Sequence, residues 1–212
     1  MKRFFGFVMF LVFAFGVSAQ DDEETLFQGP IEHGGFGGPV VKFTRVKDTF
    51  GLLVGGRGGW IINHSLCIGG GGYGLVNQIP ADDVPGLLDL PLFEPVLGMG
   101  YGGFELEYVH ASNRLVHSTV SILIGGGAVG LQEGWSGRPE WDWDWNHTGE
   151  IPNWDAFFIV EPGLNAEVNI ARFFRIDAGV GYRFVSGVER IGLANGDIGG
   201  PAISLTFKFG KF

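Results

Sequence analysis

The sequence predicts an all-β chain of eight antiparallel strands, closed up-and-down into a transmembrane β-barrel. Three observations predict it. From Pro201 to Gly210 apolar and polar side chains alternate, with Ile203, Leu205, Phe207 and Phe209 on one face and Ala202, Ser204, Thr206 and Lys208 on the other; that is the period of a two-faced strand. An export signal opens the chain. After it, no apolar run is long enough to form a membrane-spanning helix. In lipid the remaining solution is a closed barrel, which pairs every backbone N–H and C=O.

The signal occupies residues 1–19. Lys2 and Arg3 form its charged n-region, Phe4 to Phe15 its apolar stretch, and Val17-Ser18-Ala19 a small-residue cleavage site, so the mature chain is expected to start at Gln20. No Cys follows the apolar stretch, which excludes a lipoprotein signal. Residues 20–37 are acidic and then Gly-rich, and are expected to form a flexible periplasmic arm. The barrel is expected over 38–212.

Eight strand-like stretches follow, at roughly 38–46, 49–62, 65–76, 96–110, 115–130, 155–170, 174–187 and 200–211. In the second, Phe50, Leu52, Val54, Trp60 and Ile62 oppose Thr49, Gly51, Gly55, Arg57 and Gly59. In the fourth, Phe104, Leu106 and Tyr108 oppose Tyr101, Glu105 and Glu107. In the seventh, Phe174, Ile176, Val180, Tyr182 and Phe184 oppose Arg175, Asp177 and Arg183. Charges at alternate positions exclude a strand buried in apolar surroundings on both faces. The connections give an independent check. Those after strands two, four and six are short (63–64, 111–114 and 171–173), whereas 77–95, 131–154 and 188–199 are long and only the first, near 46–48, breaks the alternation. Short periplasmic turns and long external loops are the rule for such barrels, which places both termini in the periplasm.

Composition agrees. The chain has 38 Gly, which alone suggests disorder, yet 45% hydrophobic and 14% aromatic residues exclude it. Gly where the lumen is crowded and aromatics at the interfaces are what a small barrel needs. Loss of Lys2 and Arg3 with the signal takes the formal charge from −9 to −11. So acidic a chain is not a nucleic-acid binder. The single Cys67 excludes an internal disulfide framework and reads as a small apolar strand residue.

Parity also assigns the interior. Lys42, Arg57, Arg175, Arg183 and Lys208 face inward, against Glu105, Glu107, Glu161, Glu167 and Asp177. An eight-stranded barrel holds little more than its own side chains, and an unpaired buried charge costs several kcal/mol. Equal numbers of each sign therefore predict a neutralised salt-bridge plug. Arg57 faces Gly69 and Gly71, which leave room for a guanidinium, and Glu161 and Arg183 are expected to meet across their hairpin.

The best ligand-binding candidate is the loop 131–154. It holds Trp135, Trp141, Trp143, Trp145 and Trp154, with Asp142 and Asp144 interleaved. Rigid Trp faces beside carboxylates suit a sugar ring, a cationic ligand or a protein surface; the plainer reading is an aromatic belt at headgroup level. Loop 77–95 carries Leu87, Leu88, Leu90, Leu92 and Phe93, suited to a short amphipathic helix on the rim or to packing against loop 131–154. The His residues do not cluster at ligand spacing, no defined metal loop is present, and the Gly runs lack the helix and Lys-Ser/Thr of a phosphate loop. No metal and no cofactor are expected.

On these features the chain resembles the small outer-membrane β-barrels of Gram-negative bacteria, over its whole mature length. In the segments HGGFGGPVVKFT and GLLVGGRGGWIINHS it is similar to barrel proteins of Bacteroidetes-type species, a resemblance that implies no activity. It implies the outer membrane as location, with outer-membrane lipid and the barrel-assembly machinery as partners; the residues of the Trp-rich loop themselves add an extracellular ligand or protein as a candidate partner. In the usual C-terminal assembly signal the final Phe shares parity with the apolar residues before it; Phe212 is even whereas Leu205, Phe207 and Phe209 are odd. His110-Ala111-Ser112-Asn113 also resembles the H-x-S-N of outer-membrane lipid A deacylases, where the His activates the Ser. Here no acid follows at short spacing to orient His110, and the motif falls in an expected periplasmic turn. The expected function is thus non-enzymatic: a closed barrel, structural or surface-recognising through loops 77–95 and 131–154. The alternatives are a narrow channel or small-ligand carrier and, third, a lipid A hydrolase.

Overall fold

Alternation sets the strands, and four tight turns set their register. The structure, a computed structural model, describes residues 30–81, 95–133, 154–189 and 192–212. Its strands are β1 (His33–Val46), β2 (Thr49–Ile62), β3 (Leu66–Leu75), β4 (Pro95–His110), β5 (Val116–Glu133), β6 (Asp155–Ala171), β7 (Phe174–Ser186) and β8 (Gly200–Lys211); a single helical turn, α1 (Asn195–Ile198), precedes β8. Each strand pairs antiparallel with the next, and β1 pairs with β8 from Gly35↔Lys211 to Thr44↔Ala202, so the sheet closes into the expected eight-stranded up-and-down barrel.

The β1–β2 turn uses Lys47 and Asp48 with φ of 50° and 59°; Asn63 and His64 between β2 and β3 have φ of 49° and 55°. Two successive left-handed residues match the right-handed twist of the flanking strands. We call proximal the end where β1 starts, β8 finishes and the short turns 63–65, 111–115 and 172–173 lie. The distal end carries the long connections.

β1 starts at His33, within the segment expected to be an arm: Gly34 to Gly37 pair with Ile61 to Gly58 of β2. The glycines hide the strand from an alternation count, yet closure requires them. A Cβ at Gly38 would lie 1.8 Å from Phe207 O, and one at Gly34 2.4 Å from Lys211 O. Only glycine lets β1 and β8 approach this closely.

The two faces separate as the alternation predicts. Phe50, Val54, Trp60, Phe104, Tyr108, Val180, Tyr182, Phe184, Ile203 and Phe209 are exposed on the outside, while Lys42, Arg57, Glu105, Glu107, Asp177 and Lys208 are buried within. An apolar outside around a polar inside is the pattern of a barrel whose solvent is lipid.

The distal lumen is mostly apolar, with Asp155 and Arg183 as buried charges beside the hydrocarbon. Val46, Leu53, Leu97, Met99, Val129, Leu131, Phe157 and Ile159 form one apolar cluster there, joined by Ile79, Ala81, Val188, Leu193 and Ile198 from the long connections. These connections turn inward where they are described. Ala81 N–H donates to Pro95 O and Leu97 N–H to Ile79 O, each at 2.9–3.0 Å, and Lys47 N–H donates to Asp197 O at 2.6 Å. At the proximal end a smaller cluster of Phe36, Ile61 and Cys67 packs against Phe212.

Candidate functional site: the ionic lumen

The ten inward charges all lie buried between the two apolar ends. Their arrangement follows from which strands carry bulk. β3 presents Gly69 and Gly71 to the lumen, and Arg57 of β2 lies opposite Gly71. With no β3 side chain in the way, the Arg57 guanidinium reaches over that strand to β4, meeting Glu105 at 3.1 Å and pairing with Glu107. Lys208 of β8 sits among three acids: Glu107 at 2.7 Å, Glu167 at 2.5 Å and Asp177 at 3.4 Å. Arg175 adds a 2.8 Å contact to Glu167. Above this cluster, Lys42 of β1 crosses the lumen to pair with Glu161 of β6. Tyr101 donates its hydroxyl to Glu161 Oε2 at 2.7 Å, and the Lys42 ammonium lies 3.6 Å from the centre of the Tyr73 ring.

Glu161 and Arg183, expected to meet, take different partners. Glu161 is occupied by Lys42 and Tyr101, whereas Arg183 donates from Nε to Ile198 O at 2.6 Å and from Nη2 to Thr44 Oγ1 at 3.2 Å. They are neighbours in register, but the lumen is narrow enough for Lys42 to reach Glu161 from the opposite wall. Arg183 is thereby free to hold α1 over the distal mouth.

Sequence reasoning missed His117. It is buried, with Nε2 3.0 Å from Glu167 Oε1 and Nδ1 3.2 Å from Arg114 O. The signal was its parity: His117 shares the inward face of β5 with Thr119 and Leu123, but a count limited to Lys, Arg, Asp and Glu passes over it. Tyr73, Tyr101, Thr119 and Asn165 add to the polar lining, as do Thr44, Asp155 and Thr206, with Asn165 Nδ2 donating to Thr119 Oγ1 at 2.9 Å.

Among the described residues the lumen keeps small cavities. A cavity of about 30 Å³ lies among Lys42, Arg57, Glu105, Glu161 and Thr206, and one of about 10 Å³ under Phe212. The first exceeds the minimum that a water molecule needs. Among the described residues no group of three His, Cys, Asp or Glu could hold a metal ion.

Of the loop candidates, Trp135, Trp141, Asp142, Trp143, Asp144 and Trp145 lie outside the described residues, as do residues 82–94 of the other long loop. Trp154 is described. It is partly exposed at the distal rim, and its ring lies within 3 Å of where a Gly130 Cβ would stand, so glycine makes its seat on β5. The H-x-S-N segment forms the β4–β5 turn, where Ala111 has φ of 56°. His110 is exposed with the outward parity of Tyr108, and no hydrogen bond joins it to Ser112 among the described residues. Asn169 clasps the turn by donating from Nδ2 to Ser112 O at 3.0 Å and Arg114 O at 2.7 Å. The residues of the motif thus build a turn held against β6.

A closed sheet with an apolar exterior and a belt of buried charges across its interior defines the class: a small transmembrane β-barrel. No protein-family profile matches the chain, and no curated protein sequence does. Solved structures do match. Neisserial surface protein A has 11% sequence identity and a TM-score of 0.55, over 87% of this chain and all of its own. The attachment invasion locus protein Ail of Yersinia pestis, solved with the heparin analogue sucrose octasulfate, has 11% identity and a TM-score of 0.47, over 84% of this chain and 97% of its own. OprG of Pseudomonas aeruginosa has 9% identity and a TM-score of 0.42, over 84% and 94%. At this identity the likeness to the Neisserial protein shows the fold alone, which here is a closed eight-stranded up-and-down barrel.

Proposed function

We propose that this chain is an outer-membrane barrel with a sealed lumen, acting as a structural or surface-recognition protein through loops 77–95 and 131–154. The sealing carries the reading: ion pairs span the middle of the lumen and apolar side chains fill its distal end. The export signal supports the location, and the alternation of short and long connections supports periplasmic termini with the long loops outside. In that orientation the Trp-rich loop faces the surroundings of the cell. Its aromatic faces and carboxylates suit a cationic or sugar-bearing partner. The structural likeness to a protein named as a surface protein fits this role.

Single-channel recording of the refolded mature protein in a planar bilayer tests the sealing. No conductance steps are expected over a range of voltage. Reproducible small steps would replace this reading with a narrow channel lined by the inward charges. Mass analysis of lipid A from cells with and without the protein tests the hydrolase alternative, and the expected acyl pattern is unchanged.

A further inference from the structure

At the proximal end the β6–β7 hairpin and the end of β8 frame an open crevice of about 460 Å³. Asn169, Ala171, Arg172, Arg175, Lys211 and Phe212 line it, so three of its six side chains are cationic and none is acidic. Arg175 is already committed: it is buried, bonded to Glu167, and has its guanidinium carbon 4.0 Å from the centre of the Phe212 ring. Arg172 and Lys211 are different. Both are exposed, and no carboxylate pairs with either among the described residues.

Beside these two cations the outer wall is apolar. Ile170 and Phe173 are 54% and 63% exposed. Phe174 stacks on Phe209 at 4.8 Å and on Phe207 at 6.5 Å, which makes an aromatic ladder from β7 to β8. Cations at a rim directly above an apolar wall match a molecule with an anion above hydrocarbon. A free phosphate or a soluble acidic peptide would use Arg172 and Lys211 but gain nothing from Phe173 and Ile170 beside them.

We infer that the proximal rim of β6, β7 and β8 is a binding site for an anionic glycerophospholipid. Arg172 and Lys211 take the phosphate, and the acyl chains lie along Ile170, Phe173, Phe174 and Phe209. The inference rests on the barrel spanning a bilayer and is independent of which way it faces. Arginine suits the role because its planar fork meets two phosphate oxygens at once.

The test uses the full mature chain in nanodiscs of phosphatidylcholine with a minor fraction of phosphatidylglycerol, followed by gentle extraction and native mass spectrometry of the retained lipid. The wild type is expected to retain phosphatidylglycerol well beyond its share of the bilayer. Arg172→Ala/Lys211→Ala is expected to reduce that enrichment by about tenfold, while Arg45→Ala at the distal end leaves it intact. The charge-conserving Arg172→Lys/Lys211→Arg is expected to keep most of it, which separates lost charge from lost folding. Added inorganic phosphate is expected to compete poorly; ready displacement would assign the site to free anions and overturn the lipid. Insertion of the wild type without enrichment, or enrichment unchanged in the folded double variant, would also sink the site. Failure of the wild type to insert would instead remove the membrane-spanning reading on which it depends.

Discussion

The middle and the distal third of the lumen are built by the same strands with the same inward parity, yet they are filled in opposite ways. In the middle, Lys208, Glu107, Glu167 and Asp177 exclude water with charge. In the distal third, Leu53, Leu97, Val129 and Ile159 exclude it with hydrocarbon, and the connections contribute Ile79, Leu193 and Ile198 as a lid. The two kinds of filling fail differently. Charge is intolerant of losing one partner, because the remaining acid stays buried and unneutralised. Hydrocarbon loses only transfer energy and whatever cavity the neighbours cannot close.

That contrast can be broken most sharply at Lys208. Lys208→Met strips a cation from three acids and is expected to cost about 3–5 kcal/mol, read as a lower urea midpoint for the refolded barrel. A midpoint equal to wild type would mean that the acids find other partners. At the distal end, Ile159→Ala removes a fully buried side chain and is expected to cost about 2–4 kcal/mol, without the strong dependence on neighbouring charge that a Lys208 variant should show. Next comes a paired replacement. Lys42→Met alone is expected to destabilise by about 3 kcal/mol, whereas Lys42→Met/Glu161→Leu should return to within about 1 kcal/mol of wild type. If the double variant stays as unstable as the single one, the pair belongs to a wider network than its contacts indicate. The smallest effect is expected at Arg45→Ala. Its ion pair with Asp48 lies in the β1–β2 turn, with side chains 65% and 94% exposed, and exposed pairs of this kind contribute under about 1 kcal/mol. A change in midpoint as large as that of Ile159→Ala would show that the turn, rather than the lumen, limits stability.

The strands were legible because lipid and lumen demand opposite side chains at successive positions. Phe104, Leu106 and Tyr108 against Glu105 and Glu107 leave no other strand geometry. The inward charges were legible for the same reason, as was the space for Arg57 opposite Gly69 and Gly71. The start of β1 was not, because Gly34, Gly35, Gly37 and Gly38 have no side chain to alternate, although their backbone pairs with β2. The apolar distal lumen was hidden too. Val46, Leu53 and Leu97 are inward by parity, but a general rule of polar interiors gives no reason to expect hydrocarbon there. Ile79 and Ile198 belong to connections, which carry no period at all.

The sequence by itself determined the fold class, the eight strands with their facing, and which charges share the interior, because each of these depends on local alternation. The tertiary structure decided which charge meets which. Lys42 takes Glu161, Lys208 takes Glu107 and Glu167, and Arg183 turns to the backbone of Ile198 instead of Glu161. Those partners stand on strands far apart in the chain. Only closure of the sheet, through the glycine contacts that bring β1 against β8, sets the distance across the lumen and so selects each pair.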